Sequence, residues 1–202
     1  MAIDNGIAVD CSALQSTGGI KTICLRSFAS GDPGTFNNDA AKHDVTKIVD
    51  SGGTSATWKV FEFKNETAEL TVNATKENGS TVFECGLNFM IPQINNTKMH
   101  ELQTMLNTCM MAIVVTTNDE KLVVGLSEKY ANSVTSPEKN QTFLNLASME
   151  GGTGAAYADQ NGLTISLMAR QFELPRQYDP ASGAGLASAP SPALTLYVTP
   201  AS

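Results

Sequence analysis

The clearest pattern in the chain is a pair of alternating apolar and polar segments on either side of Asn78-Gly79. Residues 67–77 read TAELTVNATKE, and residues 80–91 read STVFECGLNFMI. Such alternation predicts β-strands with one apolar face, because successive side chains of a strand point to opposite sides. Asn-Gly is the preferred pair for a two-residue type I′ turn. The pattern therefore predicts one long β-hairpin with its turn at Asn78 and Gly79.

The turn also predicts the register of the hairpin, because it places residue 77 opposite residue 80. In that register the apolar side chains of both strands share one inward face, made of Ala68, Leu70, Val72, Ala74, Phe83, Cys85, Leu87 and Phe89. The opposite face is polar and contains Glu69, Thr71, Asn73, Glu84 and Asn88. A slip of one residue would set apolar against polar side chains along the whole ladder. Turn chemistry and alternation thus predict the same hairpin independently.

Further strands are predicted from shorter runs of β-branched and apolar residues between turn signals, at residues 19–26, 45–50, 56–63, 110–117, 121–126, 141–148 and 163–174. Within residues 56–63, Trp58 and Val60 lie on one phase and Phe61 and Phe63 on the other. Apolar residues on both phases predict a strand that is covered on both sides. The chain is therefore predicted to be mainly β.

One amphipathic helix is predicted over residues 96–108. Met99, Leu102 and Leu106 recur at the spacing of one helical face, and Asn95 or Asn96 precedes them as the N-cap. The helix would flank the β-rich part of the chain.

The composition changes after residue 174. Residues 1–174 are predicted to form a β-rich domain, whereas residues 175–202 are rich in Pro, Ala and Ser. This C-terminal arm ends in an alternating apolar patch, LTLYV, at residues 194–198. We expect that last short strand to dock on its own domain or on a neighbouring subunit.

Charge and hydropathy limit the possible partners. Charged residues make up 16% of the chain, and the net charge is −7, which argues against a general nucleic-acid or anionic-membrane binder. Residues 1–6 do not resemble a secretory signal, and no apolar run is long enough to span a membrane. We therefore expect the chain to be made in the cytoplasm and to have no membrane partner. The scattered cysteines, Cys11, Cys24, Cys85 and Cys109, are interpreted as reduced thiols.

Motifs for catalysis, metals and cofactors are missing from the sequence. Gly151-Gly152-Thr153-Gly154 is not followed by the Lys-Ser/Thr of a phosphate-binding loop. His43 and His100 each stand alone. Glu69 and Glu84 could form an acid/base pair, but solvated positions on a sheet face are far commoner. The sequence therefore predicts a protein that is not an enzyme and has no catalytic, metal or cofactor residues.

The order of these sequence segments resembles that of a known protein family. It runs through GGIKTICL, FEFKNETAELT, NATKENGSTVFECGLNFMI, NNTKMHELQTMLN, MMAIVVTT, KLVVGL and AAYADQNGLTISLMARQ. The chain is similar over residues 6–174 to the tail tube, or major tail, proteins of tailed phages and prophages of Bacteroidota-like hosts. The resemblance implies a β-sandwich or barrel-like tail-tube domain with a long β-hairpin and one flanking α-helix.

The resemblance also implies a function. In such tubes six subunits usually form a ring, their sheets join into a β-barrel around a lumen, and a hairpin or loop reaches the adjacent ring. The chain would then be a virion tail subunit whose partners are itself, a sheath, and tail-terminator or tape-measure proteins. DNA would pass during ejection without specific binding. Glu69, Thr71, Asn73, Glu84 and Asn88 are the candidates for the lumen face or a subunit interface.

Three alternatives stay open from the sequence. The chain could be a capsid decoration protein or another β-sandwich binding module of a virion. It could also be the inner tube of a contractile injection system, which shares the tube architecture. A small hydrolase is the third alternative, and the missing motifs count against it.

Overall fold

Two antiparallel sheets make up most of the computed structural model, which describes residues 18–27, 45, 58–126, 143–156 and 161–178. The fold in these ranges is mainly β, as predicted. The elements are β1 (Ile20–Ser27), β2 (Lys59–Phe61), β3 (Glu69–Glu77), β4 (Ser80–Pro92), α1 (Asn96–Met105), β5 (Met110–Thr116), β6 (Lys121–Val124), β7 (Asn145–Gly152), β8 (Gly162–Gln171) and β9 (Arg176–Gln177).

The two sheets share one hydrophobic core. One sheet has five strands in the order β2-β1-β5-β6-β9, and the other has four in the order β3-β4-β8-β7. Their facing side chains form a single buried cluster, which includes Ile23, Leu25, Ala112, Val114 and Val124 from the first sheet and Cys85, Leu87, Phe89, Ile165 and Leu167 from the second. This arrangement is a sandwich of two sheets, each presenting an apolar face to the other.

Backbone hydrogen bonds tie the sheets together where the chain crosses between them. After β2, the amide of Lys64 donates to the carbonyl of Met90 in β4, at 2.8 Å. Before β7, Met110 and Leu144 exchange two hydrogen bonds of 2.9 and 2.8 Å. The crossing segments therefore keep their polar backbone groups paired close to the core.

The five-stranded sheet is buried on both faces. Its second face forms another cluster with Cys24, Met111, Ile113 and Val123, which pack with Val45, Leu126, Phe143 and Tyr178. Trp58 and Val60 pack against this second cluster, whereas Phe61 and Phe63 pack against the core between the sheets. The predicted two-sided covering of the strand with Trp58 is therefore confirmed, although β2 itself is only three residues long.

The predicted hairpin is confirmed in position, register and turn. The pairs run from Glu69–Asn88 to Glu77–Ser80 without a bulge. Asn78 and Gly79 have φ values of 47° and 85°, as a type I′ turn requires. Both strands of the hairpin belong to the four-stranded sheet, in which β4 also pairs with β8 from Phe83 to Pro92.

The inward face of the hairpin is buried only in part. Ala68, Cys85, Leu87 and Phe89 are buried as predicted, while Leu70 and Phe83 are half-buried. The prediction was wrong for Val72, which is 39% exposed, and for the exposed Ala74. Both lie on β3, the edge strand of its sheet, so no strand of the described chain lies on their far side.

The helix has the predicted start but a different buried face. Asn95 is the N-cap, and its side-chain oxygen accepts a 2.8 Å hydrogen bond from the amide of Lys98. Leu102 and Met105 are buried in the core, whereas Met99 and Leu106 are 43% and 38% exposed. The predicted face was therefore rotated, because the helix contacts the sandwich through Leu102 and Met105.

Several predicted segments fall partly outside the described residues. Of the predicted strand 45–50 only Val45 is described, in an isolated bridge to Tyr178. The last predicted strand ends at Gln171, and the strand predicted at 141–148 is observed at Asn145–Gly152. Beyond residue 174, β9 pairs with β6, and residues 179–202, including the predicted strand 194–198, lie outside the described ranges.

Candidate functional site: the polar face of the four-stranded sheet

The outward side of the four-stranded sheet gathers the polar residues that the sequence singled out. Alternation along each strand places their side chains opposite the buried face. We call this surface the polar face, and its polar members are Glu69, Thr71, Asn73, Glu84, Asn88, Asn145, Ser148, Glu150, Thr164, Ser166 and Arg170. Three apolar residues, Val82, Met90 and Met168, lie on the same phase. All five predicted residues, those of β3 and β4, lie on it together.

Cross-strand contacts order the polar face. The side-chain amide of Asn88 donates to Glu69 Oε1 at 3.0 Å. Arg170 donates to Glu84 Oε1 from Nε at 3.0 Å and from a terminal nitrogen at 2.9 Å. These contacts join β3 to β4 and β4 to β8, so they hold polar side chains flat against the sheet.

Glycine at position 86 allows Thr71 to lie across β4. The Thr71 hydroxyl donates to the Gly86 carbonyl at 3.3 Å. A Cβ atom at position 86 would come within 2.7 Å of the Thr71 hydroxyl oxygen, closer than real Cβ contacts. A larger residue at 86 would therefore push Thr71 away from the sheet.

The polar face carries net negative charge. Its carboxylates are Glu69, Glu84 and Glu150, and Arg170 is its cation among the described residues. The Arg170 side chain is 59% exposed in its ion pair with Glu84, so the pair adds little stability. Glu69 and Glu84 have different partners, Asn88 and Arg170, and the alternative of an acid/base pair therefore gains no support.

Residues from β7 and β8 on this surface were not predicted. The signal for β8 is present in the sequence, because Ile165, Leu167 and Ala169 alternate with Ser166 and Met168. What the sequence did not reveal is that β8 lies beside β4, which brings Arg170 to Glu84. That pairing joins residues far apart in the chain, and local alternation carries no information about it.

The edges of the four-stranded sheet differ. β3 pairs with β4 on one side through nine regular pairs and has no strand on its other side in the described chain. β7 forms the opposite edge, with a register shift between Leu146 and Ser148 and with Gly151-Gly152 at its end. Bulges and short irregular edges hinder pairing with other chains, so β3 is the more open edge.

Titratable groups elsewhere do not assemble into a second site. Among the described residues no group of three or more His, Cys, Asp or Glu side chains could hold a metal ion. His100 is exposed on α1, and His43 lies outside the described ranges. Cys24, Cys85 and Cys109 are unpaired thiols, as predicted, and Cys11 lies outside those ranges.

The buried Cys85 has a polar partner of its own. Its thiol donates to Gln171 Oε1 at 3.1 Å, and the Gln171 amide donates to the Leu126 carbonyl at 3.0 Å. Burial raises the pKa of the Cys85 thiol to about 11, so the thiol stays protonated as the donor of this bond. The contact links the two sheets and has no opening to a substrate, since Cys85 and Gln171 are both fully buried.

A scan against models of protein families, a search of curated proteins and a search of solved structures each return no match for this chain. In the described part of the chain, no helix is long and apolar enough to cross a membrane.

Proposed function

We propose that this chain is a structural subunit of a phage tail tube, in which the four-stranded sheets of neighbouring copies join into a barrel around a lumen. The observation that carries this proposal is a sheet with one apolar buried face, one polar exposed face and two edge strands, β3 and β7, that no further strand of the described chain covers. Such a sheet can line a water-filled channel once its edges are paired.

The strand directions suit repeated pairing of the same subunit. All neighbours in the sheet are antiparallel, so its outer strands β3 and β7 run in opposite directions. The β3 edge of one copy can therefore pair antiparallel with the β7 edge of the next. The contact is heterologous, and a ring forms when the rotation closes. Each added copy extends the sheet without changing its pattern.

The expected size of the ring is compatible with a DNA conduit. Six copies with four strands each would give roughly 24 strands, and a spacing of about 4.8 Å gives a circumference of ~115 Å. Strand tilt widens the barrel further. A barrel of this size leaves room for a DNA duplex after side chains fill part of the interior.

The charge of the polar face suits passage of DNA rather than binding. Affinity for DNA depends on cations that neutralise phosphates. The polar face offers one such cation among the described residues, Arg170, and Glu84 neutralises it. Glu69 and Glu150 add negative charge. A lumen lined by this surface would make few lasting contacts with the phosphate backbone.

Stacking of rings is the second contact that the proposal requires. The hairpin tip extends beyond β8, because residues 80–82 of β4 precede its first pair with β8 at Phe83. Three residues of strand project by roughly 10 Å. We propose that this tip contacts the adjacent ring. Sheath, tail-terminator and tape-measure proteins are the further partners expected for such a tube.

Electron microscopy of the purified chain tests the proposal, with two matched variants. Val72→Lys places a charge on the inward phase of the β3 edge, a device that prevents edge-to-edge pairing. Met168→Lys makes the same kind of change at a side chain of similar exposure, 44% against 39%, on the central strand β8. We expect rings or tubes from the wild type and from Met168→Lys, and folded monomers from Val72→Lys.

A contrary result has a clear form. A wild-type chain that stays monomeric, both alone and with tail partners, would contradict the proposal. A stable trimer that does not stack would instead favour the virion decoration protein.

A further inference from the structure

In the single subunit the β3 edge is exposed, because β3 has no neighbouring strand on its outer side in the described chain. Its nine residues pair regularly with β4 on one side only. On its inward phase Val72 is 39% exposed, Ala74 is exposed and Leu70 is half-buried. A long, regular edge strand with exposed apolar side chains pairs readily with other chains, and natural proteins cover or blunt such edges.

The charge pattern gives β3 little protection of its own. Glu69, Thr71 and Asn73 point to the polar face, so they leave the inward phase of the edge without a charge until Lys76 near the turn. The opposite edge, β7, is less regular because of its register shift and its terminal glycines, so it pairs less readily in the free subunit than β3 does. The β3 edge is therefore the one that an added strand would protect from pairing with other chains.

The chain contains a segment with the alternation that such a cover needs. Residues 194–198 read LTLYV, with Leu194, Leu196 and Val198 on one phase and Thr195 and Tyr197 on the other. A strand added to β3 would continue both faces of the sheet, with apolar groups inward and polar groups outward. Leucine and valine on the inward phase would cover Val72.

The connecting segment is long enough for this position. The last described residue, Tyr178, lies next to β9 in the five-stranded sheet. The sixteen residues from there to Leu194 can span up to about 50 Å when extended. Five strands side by side are about 24 Å wide, and the second sheet, which contains β3, packs about 10 Å away. Residues 194–198 can therefore reach the β3 edge of their own chain.

We propose that residues 194–198 pair with β3 of the same chain before assembly, as an added edge strand of the four-stranded sheet. Resting on the proposed function, we add that the β7 edge of a neighbouring copy displaces this strand when a ring forms. The C-terminal arm would then keep the subunit monomeric until assembly starts, because the two strands compete for one edge.

Disulfide trapping in the full-length chain tests the position of the strand. Val72→Cys is combined in turn with Leu194→Cys, Leu196→Cys or Val198→Cys, and Thr195→Cys and Tyr197→Cys serve as controls on the other phase. A disulfide requires Cα atoms within about 7 Å and side chains on the same face. We expect at least one of the three apolar positions to form an intramolecular disulfide with position 72, detected by mass spectrometry of the monomer. All of these variants also carry Cys85→Ala, because Cys85 lies opposite position 72 in the hairpin and would compete for it. Val72→Cys with Cys85→Ala alone controls for the remaining native thiols.

Two outcomes of the trapping experiment would overturn the proposal. In one, the apolar positions crosslink no better than positions 195 and 197. In the other, the crosslink joins two chains, which would place the segment on a neighbouring copy instead. Neither outcome depends on whether tubes form, so the result separates the arm from the proposed function.

The crosslinked chain then tests displacement. We expect the oxidised chain to stay monomeric in electron microscopy, and the same sample, after reduction by dithiothreitol, to assemble like the variant that carries Val72→Cys without the second cysteine. Assembly of the oxidised chain at the rate of the reduced chain would overturn the displacement step. The wild-type chain could fail to assemble although the disulfide forms in the double-cysteine variant. That result would contradict the proposed tube function and support the pairing of residues 194–198 with β3.

Discussion

The two sheets of this protein differ in the number of their faces that are apolar. The five-stranded sheet is apolar on both faces, with one cluster between the sheets and another on its far side. The four-stranded sheet is apolar on one face and polar on the other. The difference is visible in single strands: β5 reads MMAIVVT, whereas β8 reads GLTISLMARQ. Alternation in a strand thus reports how many of its faces are covered.

The difference also divides the roles of the sheets. In the described residues both faces of the five-stranded sheet are covered, so under the proposed function this sheet would support the other. The four-stranded sheet keeps its polar face and its two edge strands, β3 and β7, available for contacts. These strands are longer than β2 and β9, the edge strands of the other sheet. The proposed tube uses only the surfaces that this second sheet leaves open.

The largest expected effect comes from aspartate substitutions in one strand of each sheet. In each of these strands, one residue on each face is replaced. In β5, Ile113→Asp and Val114→Asp should both abolish cooperative folding, because each buries an unpaired carboxylate at a cost of several kcal/mol. In β8, Leu167→Asp should do the same, whereas Ser166→Asp should change the free energy of unfolding by less than about 1 kcal/mol. Urea denaturation followed by circular dichroism measures all four. Tolerance of Ile113→Asp would refute burial of the outer face.

A smaller effect should separate the two ends of a single strand pair. Leu87→Ala removes a fully buried side chain and should lower the free energy of unfolding by roughly 2–5 kcal/mol. Val72→Ala removes a smaller side chain at the β3 edge, which even with residues 194–198 paired beside it is less enclosed than Leu87, and should lower it by only about 1 kcal/mol. Both values come from chemical denaturation of the monomer. Equal losses would mean that Val72 is covered as deeply as Leu87.

Burial of thiols should make stability depend on pH above the neutral range. The pKa of Cys85 is raised to about 11 by burial, from an ordinary value of 9.0. The unfolded chain therefore loses this proton first, and stability falls as pH rises from about 9 towards 11. We expect a loss on the order of 2 kcal/mol by about pH 10.5, measured as urea midpoints, and a flatter profile for Cys85→Ala.

Cys24 offers the matching test in the five-stranded sheet. Burial also raises the pKa of its thiol, so Cys24→Ala should flatten the pH profile in the same direction. A profile unchanged by Cys24→Ala would indicate that water reaches the outer face of that sheet.

The smallest expected effect concerns the polar face. Arg170→Gln removes the exposed ion pair with Glu84 and should change the free energy of unfolding by less than about 1 kcal/mol. The same variant makes the proposed lumen more negative without touching an edge, so ring formation in electron microscopy should persist. A strongly destabilised variant would show that this pair supports the fold.

The sequence alone determined the features that depend on neighbours in the chain. Asn78-Gly79 requires positive φ values in a two-residue turn, and this requirement with the alternation determined the hairpin register. An N-cap at Asn95 or Asn96, which the structure places at Asn95, and the two-sided covering of Trp58 and Phe61 were likewise predicted from local patterns. The polar side of the hairpin, from Glu69 to Asn88, followed from the same period of two.

Only the tertiary structure decided which strands lie side by side and how far the core reaches. It placed β8 against β4 and so brought Arg170 to Glu84, a contact between residues 86 positions apart. It also made β3 an edge, which exposes Val72 despite its apolar phase, and turned α1 so that Met105 is buried instead of Met99. Alternation specifies which face of a strand is apolar, but burial depends on what covers that face, and the cover comes from distant parts of the chain.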